Sequence, residues 1–151
     1  KSNITTPYFV VGNHLTKYGD FLKDTYRDSG IIFLGGIFNK EHLDNIRFYS
    51  KLYLHGHSVG GTNPALLEAM AAKTFILAHN NRFNKSVIED NAFYFSTSEE
   101  LVCLLEDERL INHKENYVLN NQKKIDSVYR WSIVVGQYEA YFKRILKESN
   151  L

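Results

Sequence analysis

The sequence predicts an α/β fold in which a doubly wound parallel sheet is covered by helices. Short runs of β-branched and aromatic residues alternate along the chain with longer segments whose apolar positions recur at helical spacing. Such alternation is typical of βαβ units, whose strands run parallel and are buried on both faces. The length of 151 residues suits about one domain, and 44% hydrophobic residues supply enough bulk for a core.

Composition excludes several other classes of protein. Eighteen Lys and Arg residues offset seventeen Asp and Glu residues, and a net charge of +1 gives no support to nucleic-acid binding. A single cysteine excludes an internal disulfide framework and a cysteine-rich zinc site. No apolar run reaches the ~18 residues that indicate a membrane span.

Two strand–helix units are predicted in the first part of the chain. The aromatic and β-branched run at 8–12 ends in glycine and predicts a strand, and helical periodicity follows over 15–28. A second apolar run at 31–34 is closed by a glycine pair. Asn39 is then a candidate N-cap for a helix over about 40–50.

The second part of the chain repeats this alternation. A helix is predicted over 64–72, because Asn63 can cap it and Pro64 then occupies the first position, where the missing N–H of proline costs nothing. The other predicted elements are strands at 52–55, 74–78 and 92–95, a polar loop at 79–85, a helix over about 98–106, and C-terminal helices from about 108 that break near 127–131.

Parallel sheets of this Rossmann-like type bind ligands at the carboxyl ends of their strands, and we expect about five or six strands here. The loops that follow the predicted strands are therefore the candidate ligand-binding loops. Gly12 and Asn13 lie at this edge after the first strand. His14 is either part of the same cleft or a surface residue at the start of a helix.

The Gly-rich loop at 56–63 carries the strongest ligand-binding signal. Small residues let a ligand approach the backbone, and the first turn of the following helix offers unpaired N–H groups and a positive dipole end that suit a phosphate. The positions that we expect at a nucleotide ligand are His57, Gly60, Gly61, Thr62, Asn63, Ala65 and Leu66.

Glu68 falls four residues after Pro64, just past the first helical turn. From this position its carboxylate can face the same cleft and accept hydrogen bonds from the vicinal hydroxyls of a ribose. The alternative is a solvated helix residue near the favourable end of the dipole. On spacing alone both interpretations stay open, because a Gly-rich strand-to-helix loop is a weak motif by itself.

The stretch at 55–70 resembles the C-terminal, donor-binding half of the group 1 or family 4 type glycosyltransferases, which are retaining nucleotide-sugar enzymes of the GT-B fold. The residues at 67–71, Leu-Glu-Ala-Met-Ala, match the second half of the family signature. The sequence at 57–64 most resembles that of a rhamnosyltransferase-like subgroup. The resemblance implies transfer of a sugar from a nucleoside-diphosphate-sugar donor to the hydroxyl of a sugar or lipid-linked sugar acceptor, in polysaccharide or glycoconjugate synthesis. It also implies that Glu68 binds ribose and that no metal or other cofactor is needed.

Two features depart from the family pattern. Gly60 stands where relatives have a first glutamate that contacts the donor sugar. The arginine and lysine that bind the donor pyrophosphate in relatives, and the acceptor domain, would precede Lys1. We therefore expect 1–151 to be a single nucleotide-sugar-binding domain, a fragment that is inactive without the N-terminal domain of the same polypeptide. For the whole enzyme we expect the cytoplasm, with a peripheral position at the inner face of the membrane as the alternative.

Several weaker signals leave two interpretations each. Arg82 or Lys85 either neutralises donor phosphate or belongs to a solvated polar turn. His55 and His57 could face one side as a metal-binding pair, but the favoured interpretation is a packed strand-end residue and a hydrogen-bonding residue at the cleft. Cys103 lies inside a predicted helix, where we expect it to pack in the core.

An aromatic stripe at helical spacing marks the C-terminal helix. It either packs on the domain's own sheet or stays uncovered, and in the second case we expect the fragment to self-associate. Two other functional classes also stay open: a self-contained, non-catalytic nucleotide-binding domain of Rossmann or flavodoxin-like type, and an interaction module that docks through this helix. The stripe consists of Trp131, Val134, Val135, Tyr138, Tyr141, Phe142, Ile145 and Leu146.

Overall fold

The computed structural model describes residues 6–148 and confirms the predicted α/β architecture. Strands alternate with helices, and every strand pair is parallel. One sheet pairs β1 with β2, and the other has the order β3, β4, β5. The strands are β1 Tyr8–Val11, β2 Ile31–Gly35, β3 Tyr53–His55, β4 Ile76–His79 and β5 Phe93–Phe95.

The sequence predicts one continuous sheet, whereas the hydrogen bonds of the described residues define two. Strand β3 is short, and its ladder bonds go to the β4 side, where the Tyr53 N–H donates to the Phe75 carbonyl at 2.7 Å. The Tyr8 phenol on β1 nevertheless lies close enough to Tyr53 to affect its pKa. Strands β1 and β3 are therefore near each other, although no ladder hydrogen bond joins them within residues 6–148.

The helices follow the predicted order, and their N-terminal caps explain where they begin. The Asn39 side chain accepts from the His42 N–H at 2.9 Å, and the Asn63 side chain accepts from the Ala65 N–H at 2.9 Å, so both predicted caps are confirmed. The helices are α1 Lys17–Thr25, α2 Lys40–Tyr49, α3 Pro64–Ala71, α4 Arg82–Ile88, α5 Ser98–Glu106, α6 Lys114–Lys124 and α7 Trp131–Glu148. A 3-10 helix at Glu108–His113 precedes α6. A π-helical turn at Ile125–Tyr129 separates α6 from α7, where the sequence predicts a break.

The predicted polar loop at 79–85 is wrong in part, because α4 begins inside it. The Asn81 side chain accepts from the Asn84 N–H at 2.9 Å and so caps this helix. Val87 and Ile88 then bury the inner face of α4 against the core. With seven residues the helix is too short for its apolar spacing to stand out in the sequence.

The core lies between α3 and the sheet of β3, β4 and β5. Leu66, Ala69 and Met70 on α3 are at most 1% exposed and pack with Ile76 and Ala78 on β4. This packing fixes the direction of α3, and with it the position of the Gly-rich loop that precedes the helix.

Two surface features complete the fold. The prediction of a core position for Cys103 is wrong: its side chain is exposed, because α5 covers the sheet edge without burying any of its residues. The aromatic residues of α7 are exposed, with Trp131 at 79% and Tyr138 at 62%.

Over residues 6–148 no helix combines the length and the apolar character needed to cross a membrane.

Candidate functional site

The carboxyl edge of the second sheet brings together the ends of β3 and β4 and the start of α3. Between β3 and α3, the chain runs through an exposed loop at 56–62. His57, Gly60, Gly61 and Thr62 are all exposed on this loop, and Asn63 at its end is half-buried. The structure thus places the predicted loop residues in one open surface beside the α3 N-terminus.

The two central glycines of the loop differ in their backbone requirement. Gly60 has a φ of +125°, a conformation that residues with a side chain rarely adopt. The φ of Gly61 lies outside this region, and a Cβ built on either residue meets no atom within 4 Å. The backbone therefore requires glycine at position 60, whereas position 61 faces open space.

The α3 N-terminus already uses the amides that the sequence predicts for a phosphate. The Ala65 N–H donates to the Asn63 side chain at 2.9 Å, and the Leu66 N–H donates to the Asn63 carbonyl at 3.0 Å. A ligand oxygen would have to share or replace these bonds. The first turn of α3 therefore offers an anion the positive end of the helix dipole rather than these N–H groups.

Glu68 lies one turn into α3 and forms an ion pair that sequence analysis missed. Its Oε2 accepts from Nη2 of Arg47, on α2, at 2.7 Å. Arg47 is only 7% exposed, whereas the Glu68 side chain is 44% exposed. The missed signal is helical spacing, since Arg47 follows the inward-facing Leu43 by four positions and therefore shares its face.

Tyr53 on β3 lies beside this ion pair. Burial raises the pKa of its phenol, the positive charge of Arg47 acts in the opposite direction, and Glu68 adds to the rise. The phenol thus responds to both members of the pair, which places Arg47 and Glu68 beside the first residue of β3.

Two asparagines at the start of α4, its N-cap Asn81 and Asn84 in its first turn, tie the ends of β3 and β4 together. The Nδ2 groups of Asn81 and Asn84 donate to the His57 carbonyl at 2.9 and 3.0 Å, and Asn84 Nδ2 also donates to the His79 carbonyl at 2.9 Å. Asn84 is 2% exposed. This asparagine clamp, defined as Asn81 and Asn84, fixes the first residues of the Gly-rich loop, and sequence analysis assigned neither residue this role.

His55 and His57 stack with their ring centroids 4.7 Å apart. His55 is fully buried, and neither of its ring nitrogens has a hydrogen-bond partner among residues 6–148. Burial, followed by the neighbouring His57, lowers the pKa of His55 from 6.5 to about 4. Within the described part of the chain, no group of three or more His, Cys, Asp and Glu side chains is placed to hold a metal ion.

The remaining predicted residues lie directly after β1 and on α4. Asn13 accepts from the Leu15 N–H at 3.0 Å and so shapes the turn before α1, while the Gly12 N–H donates to the Gly35 carbonyl at 2.9 Å. Arg82 and Lys85 lie on α4 rather than in a loop. The Arg82 guanidinium lies 4.8 Å from the centre of the Phe83 ring, and the Lys85 ammonium lies 5.3 Å from that of Tyr94.

Comparison with solved structures identifies the fold. The Anabaena Alr3699/HepE protein, solved in complex with UDP-glucose, matches with a TM-score of 0.73 and 17% identity over 91% of this chain and 41% of its own. The chain has the fold of one half of a GT-B glycosyltransferase. The GtfA/B complex matches with a TM-score of 0.54 and 16% identity over 97% of this chain and 37% of its own.

The matched region spans about two fifths of each of these solved chains. No protein-family model and no curated protein matches the sequence. The comparisons therefore establish the Rossmann-like, GT-B type architecture that the sequence predicts.

Proposed function

We propose that this chain is the donor-binding domain of a retaining glycosyltransferase that takes its sugar from a nucleoside-diphosphate-sugar. The observation that carries the proposal is the exposed loop from the end of β3 to the α3 N-terminus, with the half-exposed Glu68 carboxylate one turn beyond it. The fold match to a protein solved with UDP-glucose supports the same ligand class.

In the proposed complex the diphosphate lies at the α3 N-terminus and the ribose reaches Glu68. During transfer, the bond between the sugar C1 and the leaving diphosphate oxygen breaks. The acceptor hydroxyl oxygen bonds to C1, and its proton passes to the leaving diphosphate. The helix dipole stabilises the negative charge that develops on the diphosphate, which is an electrostatic task that needs no metal ion. Cations from an N-terminal domain of the same polypeptide would complete this site, so we expect the chain alone to bind weakly and catalyse nothing.

The donor sugar is proposed to differ from that of relatives with two glutamates. The backbone at Gly60 has a φ of +125°, which disfavours a glutamate at that position. A sugar with fewer hydroxyl groups, such as the 6-deoxy sugar of a rhamnosyltransferase-like enzyme, fits a loop without that carboxylate. Transfer of this sugar to a sugar or lipid-linked sugar acceptor, in polysaccharide or glycoconjugate synthesis, completes the proposal.

Calorimetric titration of the full-length protein with UDP, GDP, ADP and their sugar conjugates tests the proposal. Glu68→Ala should weaken the binding of the preferred nucleotide by about 1.5–3 kcal/mol, the scale of hydrogen bonds to charged groups. Glu106→Ala, which removes an exposed glutamate of α5, is the matched control and should leave affinity unchanged. Equal affinities of Glu68→Ala and the parent protein would refute the ribose role.

The exposed aromatic face of α7 favours a second candidate function, an interaction domain that docks through this helix. Trp131 at 79%, Leu146 at 64% and Tyr138 at 62% exposure form its most open positions. Sedimentation of the chain and of the full-length protein at matched concentration separates the two candidates. Self-association of the chain alone supports a partner domain within the polypeptide, whereas self-association of both supports the interaction module.

A further inference from the structure

Arg47 is a buried cation whose strongest contact reaches the proposed ribose-binding carboxylate. Its side chain is 7% exposed, and its Nη2 lies 2.7 Å from Oε2 of Glu68, a residue 21 positions further along the chain. Its Nη1 lies 3.4 Å from Oδ1 of Asp44, one turn earlier on α2. Burying a guanidinium is costly unless the charge is paired, so the position of Arg47 depends on these two carboxylates.

The ion pair uses one oxygen of Glu68 and leaves the other available. Oε1 has no hydrogen-bond partner among residues 6–148, and the Glu68 side chain remains 44% exposed. An unpaired glutamate on a helix surface samples several rotamers. Ligand binding restricts it to one of them, which costs conformational entropy. The buried guanidinium holds the carboxylate in one orientation before the ligand arrives, which is the condition for selective hydrogen bonding.

The charge of Arg47 has a second effect. A carboxylate beside a diphosphate repels it, because like charges a few ångströms apart interact strongly at the partly desolvated surface of a protein. The guanidinium offsets the charge of Glu68 without occupying its free oxygen. Glu68 can then accept a hydroxyl donor close to the phosphates at a smaller electrostatic cost.

We propose that Arg47 is a positioning residue that orients Glu68 and thereby sets the preference of this site for ribonucleotides over 2′-deoxyribonucleotides. The inference rests on the proposed function, since it assigns a cause to the ribose contact of Glu68. A purely structural role for Arg47, as a tie between α2 and α3, makes a different prediction. Loss of Arg47 would then weaken the binding of ribonucleotides and of deoxyribonucleotides equally, whether or not Glu68 is present.

The experiment measures dissociation constants of UDP, GDP and ADP and of their 2′-deoxy counterparts for the full-length protein. The variants are Arg47→Met, Arg47→Lys, Glu68→Gln and the double variant Arg47→Met/Glu68→Gln. Arg109→Met is the matched control, because Arg109 pairs with Asp107 but is 87% exposed and lies beyond α5.

We expect the parent protein to bind the preferred ribonucleotide about tenfold or more tightly than its deoxy form, as a charged hydrogen bond allows. Arg47→Met should reduce this ratio to about threefold or less, Arg47→Lys should give an intermediate ratio, and Arg109→Met should keep the parent ratio. The double variant should have the same ratio as Glu68→Gln alone, because both changes act through one carboxylate.

An unchanged ratio in Arg47→Met, or a ratio that falls further in the double variant than in Glu68→Gln, would overturn the inference. If Arg47→Met does not fold, Arg47→Lys decides: it keeps the charge but not the planar geometry, and a parent-like ratio then overturns the inference. A parent protein that binds none of the nucleotides, or that binds them without a ribose preference, refutes the proposed function itself and the inference with it.

Discussion

The asparagine clamp allows a prediction whose magnitude follows from its contacts. In Asn84→Ala, the Nδ2 donor to the His57 and His79 carbonyls is lost from a side chain that is 2% exposed. Each lost hydrogen bond is worth about 0.5–1.5 kcal/mol. The His79 carbonyl keeps the Asn81 N–H as a partner at 3.0 Å. His57 keeps the bond from Asn81 at 2.9 Å, which limits the effect.

We therefore expect Asn84→Ala to lower the free energy of unfolding by about 1–3 kcal/mol. For a protein of this size 1 kcal/mol corresponds to about 2–4 °C, so the melting temperature should fall by about 2–12 °C. Urea unfolding and calorimetry of the chain measure both quantities. Asn116→Ala, an exposed position on α6, is the control and should stay within about 0.5 kcal/mol of the parent chain.

The same substitution should also weaken nucleotide binding, because the clamp fixes the start of the Gly-rich loop through His57. We expect an increase of about 3–10-fold in the dissociation constant, the scale on which an ordered loop contributes to affinity. A destabilisation of Asn84→Ala below about 1 kcal/mol would show that the clamp does not hold the strand ends together, and the reasoning from its hydrogen bonds would fail.

Three further predictions concern the loop, the metal and the pH. Gly60→Val should cost about 1–3 kcal/mol of stability because the backbone there needs glycine, whereas Gly61→Val should keep the parent melting temperature and weaken nucleotide binding; calorimetric unfolding and titration of both variants compare them. Sugar transfer by the full-length protein should persist in excess EDTA, and activity that is lost and then restored by one divalent ion would contradict this. Burial lowers the pKa of His55 to about 4 in the folded chain, so the unfolded chain binds more protons between pH 6.5 and 4, and stability should fall by up to about 3 kcal/mol as the pH drops through this range. Urea unfolding at several pH values, with His55→Phe as the variant that should lose this slope, measures the effect.

Strong local signals account for the parts of the fold that the sequence predicts. Glycine, proline and asparagine mark strand ends and helix starts through their own backbone preferences, which is why the sequence alone predicts Asn39 and Asn63 as caps. Helix α4 was missed because seven residues carry too little periodicity, and Cys103 was misplaced because an apolar sequence does not reveal which helix lies at a sheet edge.

The site is predicted less completely because its geometry depends on contacts between distant segments. The Gly-rich loop and Glu68 lie in one continuous stretch, so a family resemblance can single them out. Arg47 and Asn84 reach the same region from other helices, and only the packing of α2 and α4 brings them there. A buried arginine and a buried asparagine carry a weak signal in the sequence, namely a polar residue on the apolar face of a helix.

Hydrogen bonds hold the Gly-rich loop at both ends, whereas its middle is exposed. At its start the His57 carbonyl is held by two asparagines, and at its end Asn63 caps α3 with its side chain. The residues between, at 58–62, are exposed. Because the anchors rather than the middle carry the hydrogen bonds, fold stability should depend on the anchors and ligand selectivity on the middle. Gly60 is the exception, because its backbone conformation affects both fold stability and ligand selectivity. A substitution there changes the shape that the loop presents to a donor and also the stability of the chain.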